Sequence, residues 1–183
     1  MDESTLLQGC LRNDRRAQHA LYRQYAAEML GVCYRYTKQA TDAEDVLQEG
    51  FVKVFTRIQQ YSGKGSLGGW IRKVMVSTAL DFLRKNKNYK SQLYLADDPP
   101  EAGEEAAPIL LQNAGEVVEL IRELPLGYQT VFNLVGIEGY EHQEVAAMLG
   151  ISVQTSRSQY HRARNMLVKK LNNQAIIKTG MPK

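Results

Sequence analysis

The sequence predicts an all-α protein made of two small helical domains joined by a flexible acidic linker. Apolar residues recur at spacings of three and four over several long segments, as one buried face of a helix requires. No segment of useful length shows the apolar–polar alternation of a half-buried strand. Residues 96–108, ADDPPEAGEEAAP, contain three prolines and five carboxylates without an aromatic side chain, which is typical of a linker. We therefore expect a first domain at 1–92, a linker at 93–112, a second domain at 113–175 and a frayed tail at 176–183.

The composition indicates a water-soluble chain. No apolar run approaches the roughly 18 residues that span a bilayer, and the acidic amino terminus lacks the apolar core of a signal peptide. We expect a cytoplasmic protein without membrane insertion. Cys10 and Cys33 show no metal-binding spacing and are expected to be buried thiols. No metal site, cofactor or catalytic residue is expected.

The net charge of +3 is unevenly distributed. Residues 1–95 carry 15 basic and 9 acidic side chains. Residues 96–123 carry one basic and eight acidic side chains, and residues 124–183 carry seven basic and three acidic ones. Two basic regions are thus separated by an acidic segment. Such a distribution suits two sites that each contact phosphate groups.

The first domain begins with a predicted short helix at 5–13 and a long amphipathic helix from Arg15 to Tyr36. A third helix is expected to start at Thr41, because Thr41 and Glu44 have the spacing of a capping box. Its polar side carries Asp45, Gln48 and Glu49. Two interpretations are open: the helix dipole favours carboxylates near the start of the helix, or these side chains form a docking face for a protein partner. Glu49 lies too far into the helix to be explained by the dipole alone.

A glycine-rich loop and a basic helix follow. Residues 62–69, SGKGSLGG, hold four glycines, so this backbone can approach a ligand closely. A helix is expected to open at Trp70. Aromatic and cationic side chains interleave along it, and such a surface suits a single nucleic-acid strand, whose bases stack and whose phosphates pair with cations. The alternative is that Trp70 and Phe82 are core residues and that the lysines are simply solvated.

The second domain is expected to hold a helix at 109–124, a boundary at Pro125, a helix at 129–135 and then a helix-turn-helix at 143–171. In the helix-turn-helix, Val145, Ala146 and Leu149 mark a buried face. Gly150 suits a left-handed helix end, and Ser152 can cap the next helix.

The second helix of this pair has an outer face without any carboxylate. That face carries amide, hydroxyl and cationic side chains, at Gln154, Thr155, Arg157, Ser158, His161, Arg162 and Arg164. These groups suit base edges and phosphates in a major groove. An ordinary amphipathic hairpin with a solvated basic face is the alternative.

Four segments resemble bacterial RNA polymerase sigma factors of the extracytoplasmic-function type, within the sigma-70 family. The segment QEVAAMLGISVQTSRSQYHRAR resembles the region 4 helix-turn-helix, and ELPLGYQTVFNL resembles the start of region 4. The segment DAEDVLQEGFVKVF resembles the polymerase-binding helix of region 2, and WIRKVMVSTALDFLRK resembles its promoter-melting helix. The resemblance covers about residues 10–170, with the motifs in the family's order.

The resemblance implies a role for each site. Core RNA polymerase would contact Asp45, Gln48 and Glu49. The separated −10 strand of promoter DNA would lie on the glycine loop and the basic helix, at Lys64, Trp70, Arg72, Lys73, Ser77, Asp81, Arg84, Lys85 and Lys87. The duplex −35 element would lie on the outer face of the second helix of the helix-turn-helix, at Gln154, Thr155, Arg157, Ser158, His161 and Arg162. An anti-sigma factor is a possible further partner.

Two departures from the family's pattern bear on promoter choice. Ser77 stands where the family usually has asparagine, seven residues after the tryptophan. Residues 155–159 read Thr-Ser-Arg-Ser-Gln, where the family often has Thr-Val-Lys-Ser-Arg. Both departures concern the preferred promoter sequence and leave the implied role unchanged.

Two other functions fit parts of the sequence. A stand-alone helix-turn-helix regulator would explain residues 124–171 but not the acidic and basic helices of the first domain. A metal-dependent nuclease using Asp42, Asp45 and Glu49 is disfavoured, because two-metal chemistry needs carboxylates that converge in a cleft and these lie along one helix.

Overall fold

The computed structural model describes residues 2–85, 89–94 and 114–179, which form helices and turns without a β-strand. The predicted all-α class is confirmed for these residues. The α-helices of the described residues are α1 (Glu3–Leu11), α2 (Arg15–Tyr34), α3 (Ala40–Arg57), α4 (Leu67–Arg84), α5 (Tyr89–Tyr94), α6 (Ala114–Arg122), α7 (Leu126–Phe132), α8 (His142–Leu149) and α9 (Val153–Thr179). A 3₁₀ turn at Ile58–Gln60 follows α3, and a π-helical segment at Asn133–Ile137 follows α7.

The chain divides into two units, residues 1–86 and 87–183. The sequence predicts the end of the first domain at 92, whereas the first unit ends at 86. Helix α5 packs against α7 and belongs to the second unit. The local sequence does not reveal this, because the contact joins segments that are far apart in the chain. The acidic linker expected at 93–112 lies largely outside the described residues.

The first unit is built around α2, α3 and α4, which pack against one another, with α1 against α2. Its fully buried side chains follow the predicted helical spacing and include Leu21, Met29, Val54 and Ile71. Cys10 and Cys33 are buried free thiols, as expected. Burial raises the pKa of the Cys33 thiol to about 12, so this side chain stays protonated at neutral pH.

Two helix starts in the first unit differ from the sequence-based expectation. Helix α3 begins at Ala40 after Gln39, and no side chain caps it. The capping box expected at Thr41 and Glu44 is therefore wrong. Helix α4 begins at Leu67 rather than Trp70, because the hydroxyl of Ser66 accepts a hydrogen bond from the Gly69 N–H. Gly68 and Gly69 lie in the first turn of α4, and glycines in a sequence usually indicate a loop. Here the stabilisation from the Ser66 cap outweighs the low helix propensity of glycine.

In the second unit, α6, α7 and α8 each pack against α9, and α8 also contacts the π-helical segment. The unit's cluster of buried apolar residues contains Leu120, Ile121, Leu124, Ala163 and Leu167. Helix α9 continues to Thr179, so the tail expected from 176 is still helical at its start. Residues 109–113, expected to begin a helix, lie outside the described residues.

In the described part of the chain, no helix is long and apolar enough to cross a membrane. The same residues contain no group of three or more His, Cys, Asp or Glu side chains placed to hold a metal ion.

Candidate nucleic-acid interface

Helix α3 exposes the polar face that the sequence identified. Asp45 and Gln48 are exposed on this helix, whereas Val46 and Leu47 are buried on its other side. Glu49 is half-buried, with 40% of its side chain exposed. Asp45 and Gln48 are therefore the predicted docking residues that a partner reaches most directly.

Glu49 takes part in a network of ion pairs that joins α3 to α4. Its carboxylate accepts from Lys53 Nζ at 3.1 Å and lies 3.4 Å from Lys85 Nζ. Lys53 Nζ also lies 3.2 Å from Asp81 Oδ2, and Arg84 Nη1 lies 2.8 Å from Asp81 Oδ1. The hydrogen bond from Lys53 lowers the pKa of Glu49. The network supplies a structural reason for a carboxylate at this position, which the helix dipole did not.

Most of the residues predicted on α4 share one side of the helix. Lys73, Ser77, Arg84 and Lys85 are exposed, and Trp70 is half-buried. This spacing of about one helical turn puts their side chains on a single stripe. Lys87, also predicted for this surface, lies outside the described residues.

Arg72 stands apart from this stripe. It is half-buried, and its Nη1 lies 3.5 Å from Glu28 Oε1 on α2. The guanidinium therefore helps to hold α4 on α2, and it is less open to a ligand than Lys73 beside it.

The glycine-rich loop before α4 has a defined conformation. Gly63 and Gly65 both have positive φ angles, of 74° and 79°, which other residues rarely adopt. The hydroxyl of Tyr61 donates to the Gly65 carbonyl oxygen at 2.7 Å and closes the loop. The Tyr61 ring also contacts the Trp70 ring, with 5.9 Å between centroids. Lys64 is thereby held exposed at the tip, next to the start of the α4 stripe.

Helices α8 and α9 form the predicted helix-turn-helix. Gly150 has a left-handed conformation with φ of 68°, and the Ser152 hydroxyl accepts from the Thr155 N–H at 2.9 Å, both as expected. At the start of α8, Glu141 and Glu144 form a reciprocal capping box that the sequence analysis did not identify. Glutamate is not among the preferred N-cap residues, so this signal is weak in sequence.

The first turns of α9 present most of the residues predicted to read DNA. Gln154 and Arg157 are exposed, and Thr155 and Ser158 are half-buried. The Ser158 hydroxyl donates to the Thr155 carbonyl oxygen at 3.1 Å, within the helix itself. Gln154 and Arg157 are thus the side chains of this face most open to a base edge.

Two predicted residues further along α9 make contacts inside the unit. Arg162 is half-buried and donates from Nη1 to the Tyr128 hydroxyl of α7 at 3.3 Å. His161 is half-buried, with its Nε2 3.0 Å from Asn165 Nδ2. The sequence predicts Arg162 on the outer face of α9; its side chain is half-buried and reaches α7 through its hydrogen bond to Tyr128.

Two polar residues of the helix-turn-helix, His142 and Gln159, make contacts that were not predicted from the sequence. His142 Nδ1 lies 2.9 Å from the Ser156 hydroxyl, and the imidazole meets the Tyr160 ring edge-on. Burial, and then the charge of Arg157, lower the pKa of His142. Gln159 is fully buried, and its Nε2 donates to the Leu93 carbonyl oxygen. Amide and imidazole side chains in a helix pair with many basic residues are usually expected on the surface. The burial of His142 and Gln159 depends on partners that are distant in sequence.

Two family comparisons match the two units separately. The sigma-70 region 2 family matches residues 21–89, and the sigma-70 region 4 family matches residues 114–167. The first match contains α3 and α4, and the second contains α8 and the first part of α9.

Several curated sigma factors are similar to this chain over most of its length. The chain is 26% identical over 186 residues to an ECF RNA polymerase sigma-E factor of Haemophilus influenzae, with 93% of this chain and 96% of that protein covered. It is 26% identical to the RNA polymerase sigma-H factor of Pseudomonas aeruginosa, with 92% and 93% covered. It is 28% identical to the ECF sigma factor SigE of Mycolicibacterium smegmatis over 80% of this chain, which spans 58% of that protein.

Solved structures support the fold. The chain is similar to CnrH, solved in complex with the cytosolic domain of CnrY, with a TM-score of 0.51 and 20% identity over 92% of this chain and 96% of that one. It is also similar to the sigma factor RpoE of Bartonella quintana, solved with the anti-sigma factor NepR, with a TM-score of 0.53 and 17% identity over 84% and 96%. With region 2 and region 4 matched in order, the chain belongs to the sigma-70 family of RNA polymerase sigma factors, as an extracytoplasmic-function sigma factor.

Proposed function

We propose that this sigma factor uses one surface to bind core RNA polymerase and two further surfaces to bind promoter DNA. Helix α3 binds core RNA polymerase, α4 and its loop hold the melted −10 strand, and the first turns of α9 read the −35 duplex. One observation carries the proposal. Adjacent helices of the first unit expose opposite charges, with Asp45 on α3 and the Lys73, Arg84 and Lys85 stripe on α4. The acidic surface of α3 suits a basic surface of a partner protein, and the basic stripe of α4 suits the phosphates of DNA.

The α4 surface fits a single strand better than a duplex. The loop holds Lys64 beside Trp70, and the Trp70 ring is half-buried against Tyr61. An unpaired base can stack on a partly exposed aromatic ring, while the cations of the stripe pair with its phosphates. Ser77 lies on this stripe, where a hydroxyl can donate to or accept from a base edge.

The α9 surface fits a major groove. Gln154 and Arg157 are exposed in the first two turns, where a recognition helix contacts bases. An amide can pair with adenine and a guanidinium with guanine. Arg162, bonded to Tyr128, contributes through the position of α9 on α7 rather than by contacting a base.

An anti-sigma factor is a further candidate partner. The two solved structures described above are complexes, one with the cytosolic domain of CnrY and one with the anti-sigma factor NepR. A protein that covers α3 and the α4 stripe would block polymerase and DNA together.

The polymerase surface is tested by Asp45→Arg, because Asp45 is exposed and lies outside the ion-pair network. Its matched control is Glu44→Arg, which makes the same charge change at a neighbouring exposed residue of α3. We expect Asp45→Arg to weaken core binding about tenfold or more, equivalent to about 1.4 kcal/mol, and Glu44→Arg to change it by less than about twofold. Fluorescence anisotropy of labelled protein titrated with core polymerase measures both. Equal binding by the two variants would place the docking surface elsewhere.

Run-off transcription separates a sigma factor from a stand-alone regulator. Core polymerase alone starts poorly at a specific promoter, and addition of this protein should give transcripts with a defined start from a promoter library. A stand-alone regulator would bind duplex DNA equally well with or without core, and it would give no such transcripts.

A further inference from the structure

Helix α1 lies ahead of the residues matched by the sigma-70 region 2 family, yet it contacts the chain where α4 begins. Oε1 of Glu3, on α1, accepts a hydrogen bond from the Leu67 N–H at 2.9 Å, although the two residues are 64 positions apart. The first N–H groups of a helix have no acceptor within the helix, and Leu67 is the first residue of α4. Ser66 caps the same turn locally by accepting from Gly69. The start of α4 is therefore fixed both by a local acceptor and by an acceptor on another helix.

Tyr25 of α2 packs against the same turn. Its ring is buried, and a β-carbon added at Gly68 would lie 2.9 Å from Tyr25 Cε1. Burial raises the pKa of Tyr25, and the negative charge of Glu3 raises it further, which places the Glu3 carboxylate near the phenol as well as near Leu67. Helices α1 and α2 thus meet the backbone of two adjacent residues, Leu67 and Gly68, at the start of α4.

Helix α1 also contacts the segment on the other side of the glycine-rich loop. It packs against the 3₁₀ turn at Ile58–Gln60. Tyr61 follows this turn directly, and its hydroxyl closes the loop by donating to the Gly65 carbonyl oxygen. Leu6 and Cys10 hold α1 on the first unit, because both side chains are buried. The loop therefore begins and ends at two places that a single helix contacts.

We propose that α1 positions the −10 surface and that Glu3 is the positioning residue through which it acts. This inference rests on the proposed function, in which the loop and α4 hold the melted strand. Lys64 is exposed shortly before Leu67, and Trp70 lies about one turn after the start of α4. The hydrogen bond from Leu67 to Glu3 thus sets the point from which both side chains are placed. Groups that bind a ligand together lose their fit when they are displaced by more than about 0.5 Å.

The charge of Glu3 and its hydrogen bond predict opposite effects on DNA. A carboxylate beside a phosphate-binding surface repels DNA, so removing the charge alone should strengthen strand binding. Removing the hydrogen bond should weaken strand binding, because the loop and Trp70 are then no longer held in register. The sign of the change therefore distinguishes a positioning residue from a residue that acts only through its charge.

Three variants of Glu3 separate reach from charge. Glu3→Gln keeps the length of the side chain and an amide oxygen that can accept from Leu67, but it removes the charge. Glu3→Asp keeps the charge but is shorter by one carbon–carbon bond, about 1.5 Å, and it cannot reach Leu67 without a shift of α1. Glu3→Ala removes both properties. The control is Glu44→Ala, which removes the same side chain at another exposed helical position of the first unit.

Strand binding is measured by fluorescence anisotropy with saturating core polymerase and a labelled single strand that carries the −10 element of a transcribed promoter. Glu3→Asp and Glu3→Ala should bind at least about fivefold more weakly than the wild type, which is the lower end of what stacking of one base contributes. Glu3→Gln should restore binding to within about twofold of the wild type, and Glu44→Ala should also lie within about twofold. All variants should bind a −35 duplex equally, because that surface belongs to the second unit.

A double-mutant cycle shows whether Glu3 acts through the loop. Lys64→Ala should reduce the salt slope of strand binding by about 0.7, as the loss of one phosphate contact on a single strand does. Glu3→Ala should reduce the slope by a similar amount if it displaces Lys64. Adding Lys64→Ala to Glu3→Ala should then weaken binding by less than about a further twofold.

Hydrogen exchange of the free protein, measured by mass spectrometry, reports on the loop without DNA. Exchange over residues 61–69 should be at least about tenfold faster in Glu3→Asp and Glu3→Ala than in the wild type. Exchange over α2 should be equal in all proteins, which shows that the first unit stays folded.

Four results would overturn the proposal. They are unchanged exchange over 61–69 in Glu3→Ala, strand binding that is unchanged or tighter in Glu3→Asp and Glu3→Ala, equal weakening in Glu3→Gln and Glu3→Ala, and fully additive effects of Glu3→Ala and Lys64→Ala. By contrast, a wild-type complex with core polymerase that binds no −10 strand would refute the proposed function. The exchange measurement would still decide whether Glu3 holds the loop.

Discussion

Lys53 Nζ lies 3.2 Å from Asp81 Oδ2 and thereby joins α3 to α4 across 28 positions of sequence. The same ammonium group lies 3.1 Å from Glu49 Oε1, and only 20% of the lysine side chain is exposed. One partly buried cation thus connects the helix proposed to bind polymerase with the helix proposed to bind DNA. Lys85, by contrast, is 67% exposed at 3.4 Å from Glu49, and it contributes little to stability.

Lys53→Met is expected to destabilise the first unit by about 1 kcal/mol, because Glu49 and Asp81 then face each other without their shared cation. Urea unfolding followed by the fluorescence of Trp70, the single tryptophan of the chain, reports on this unit. Lys64→Met, at an exposed loop position, is the control and should change stability by less than about 0.5 kcal/mol. Equal effects of the two changes would contradict a structural role for the bridge.

The same network predicts a pH dependence. The pKa of Glu49 is lowered in the folded protein, chiefly by the hydrogen bond from Lys53. The resulting stabilisation is present above the ordinary pKa of glutamate and is lost as the pH falls through the lowered pKa in the folded state. Unfolding of the first unit measured from pH 6 down to about pH 3 should therefore lose less stability in Lys53→Met than in the wild type.

Two glycines in helices of the first unit should respond oppositely to alanine. A β-carbon at Gly50 would lie 2.3 Å from the Met75 sulfur, and Met75 is fully buried, so Gly50→Ala overpacks the core. A net loss of about 1 kcal/mol is expected, after the better helix propensity of alanine is included. Nothing lies within 4 Å of a β-carbon at the exposed Gly31, so Gly31→Ala should stabilise by about 0.5–1 kcal/mol. Urea midpoints from Trp70 fluorescence should move in opposite directions; midpoints that both rise would show that Met75 moves aside easily.

Arg157 and Arg162 should differ in their effects on DNA binding. Arg157→Ala should relax the preference at one −35 base pair by about 1–3 kcal/mol while leaving the fold intact, because the side chain is exposed. Arg162→Ala should keep the base preference and lower the stability of the second unit by about 0.5–1.5 kcal/mol, because it removes the hydrogen bond to Tyr128. Binding to a set of −35 duplexes, together with thermal unfolding by circular dichroism, measures both effects. Loss of base preference in Arg162→Ala would contradict this assignment.

His142 should make the second unit less stable at acidic pH. Burial lowers its pKa, and the positive charge of Arg157 lowers it further. The folded state therefore binds a proton less readily than the unfolded state, and stability falls as the pH decreases below the ordinary pKa of about 6.5. His142→Gln removes the titrating group and should flatten this dependence between pH 7 and pH 5. Thermal unfolding by circular dichroism at several pH values tests it; an equally steep dependence in His142→Gln would exclude His142 as the cause.

Local sequence signals predicted much of this protein. Periodic apolar residues indicated the helices and their buried faces, because helical spacing alone decides which side chains share a side. Gly150 and Ser152 marked the turn and the cap of the helix-turn-helix, since both act on neighbouring backbone groups. The exposed side chains of Asp45, Gln154 and Arg157 also followed from periodicity.

Only the tertiary structure decided which polar side chains form hydrogen bonds or ion pairs with residues that are distant in sequence. Gln159 meets Leu93 across 66 positions, and Lys53 meets Asp81 across 28. Arg162 turns to Tyr128 across 34, although sequence placed it on the outer face. Periodicity assigns a residue to a face but does not name its partner. A hydrogen bond or ion pair depends on how distant helices pack, so these roles, and the membership of α5 in the second unit, required the folded chain.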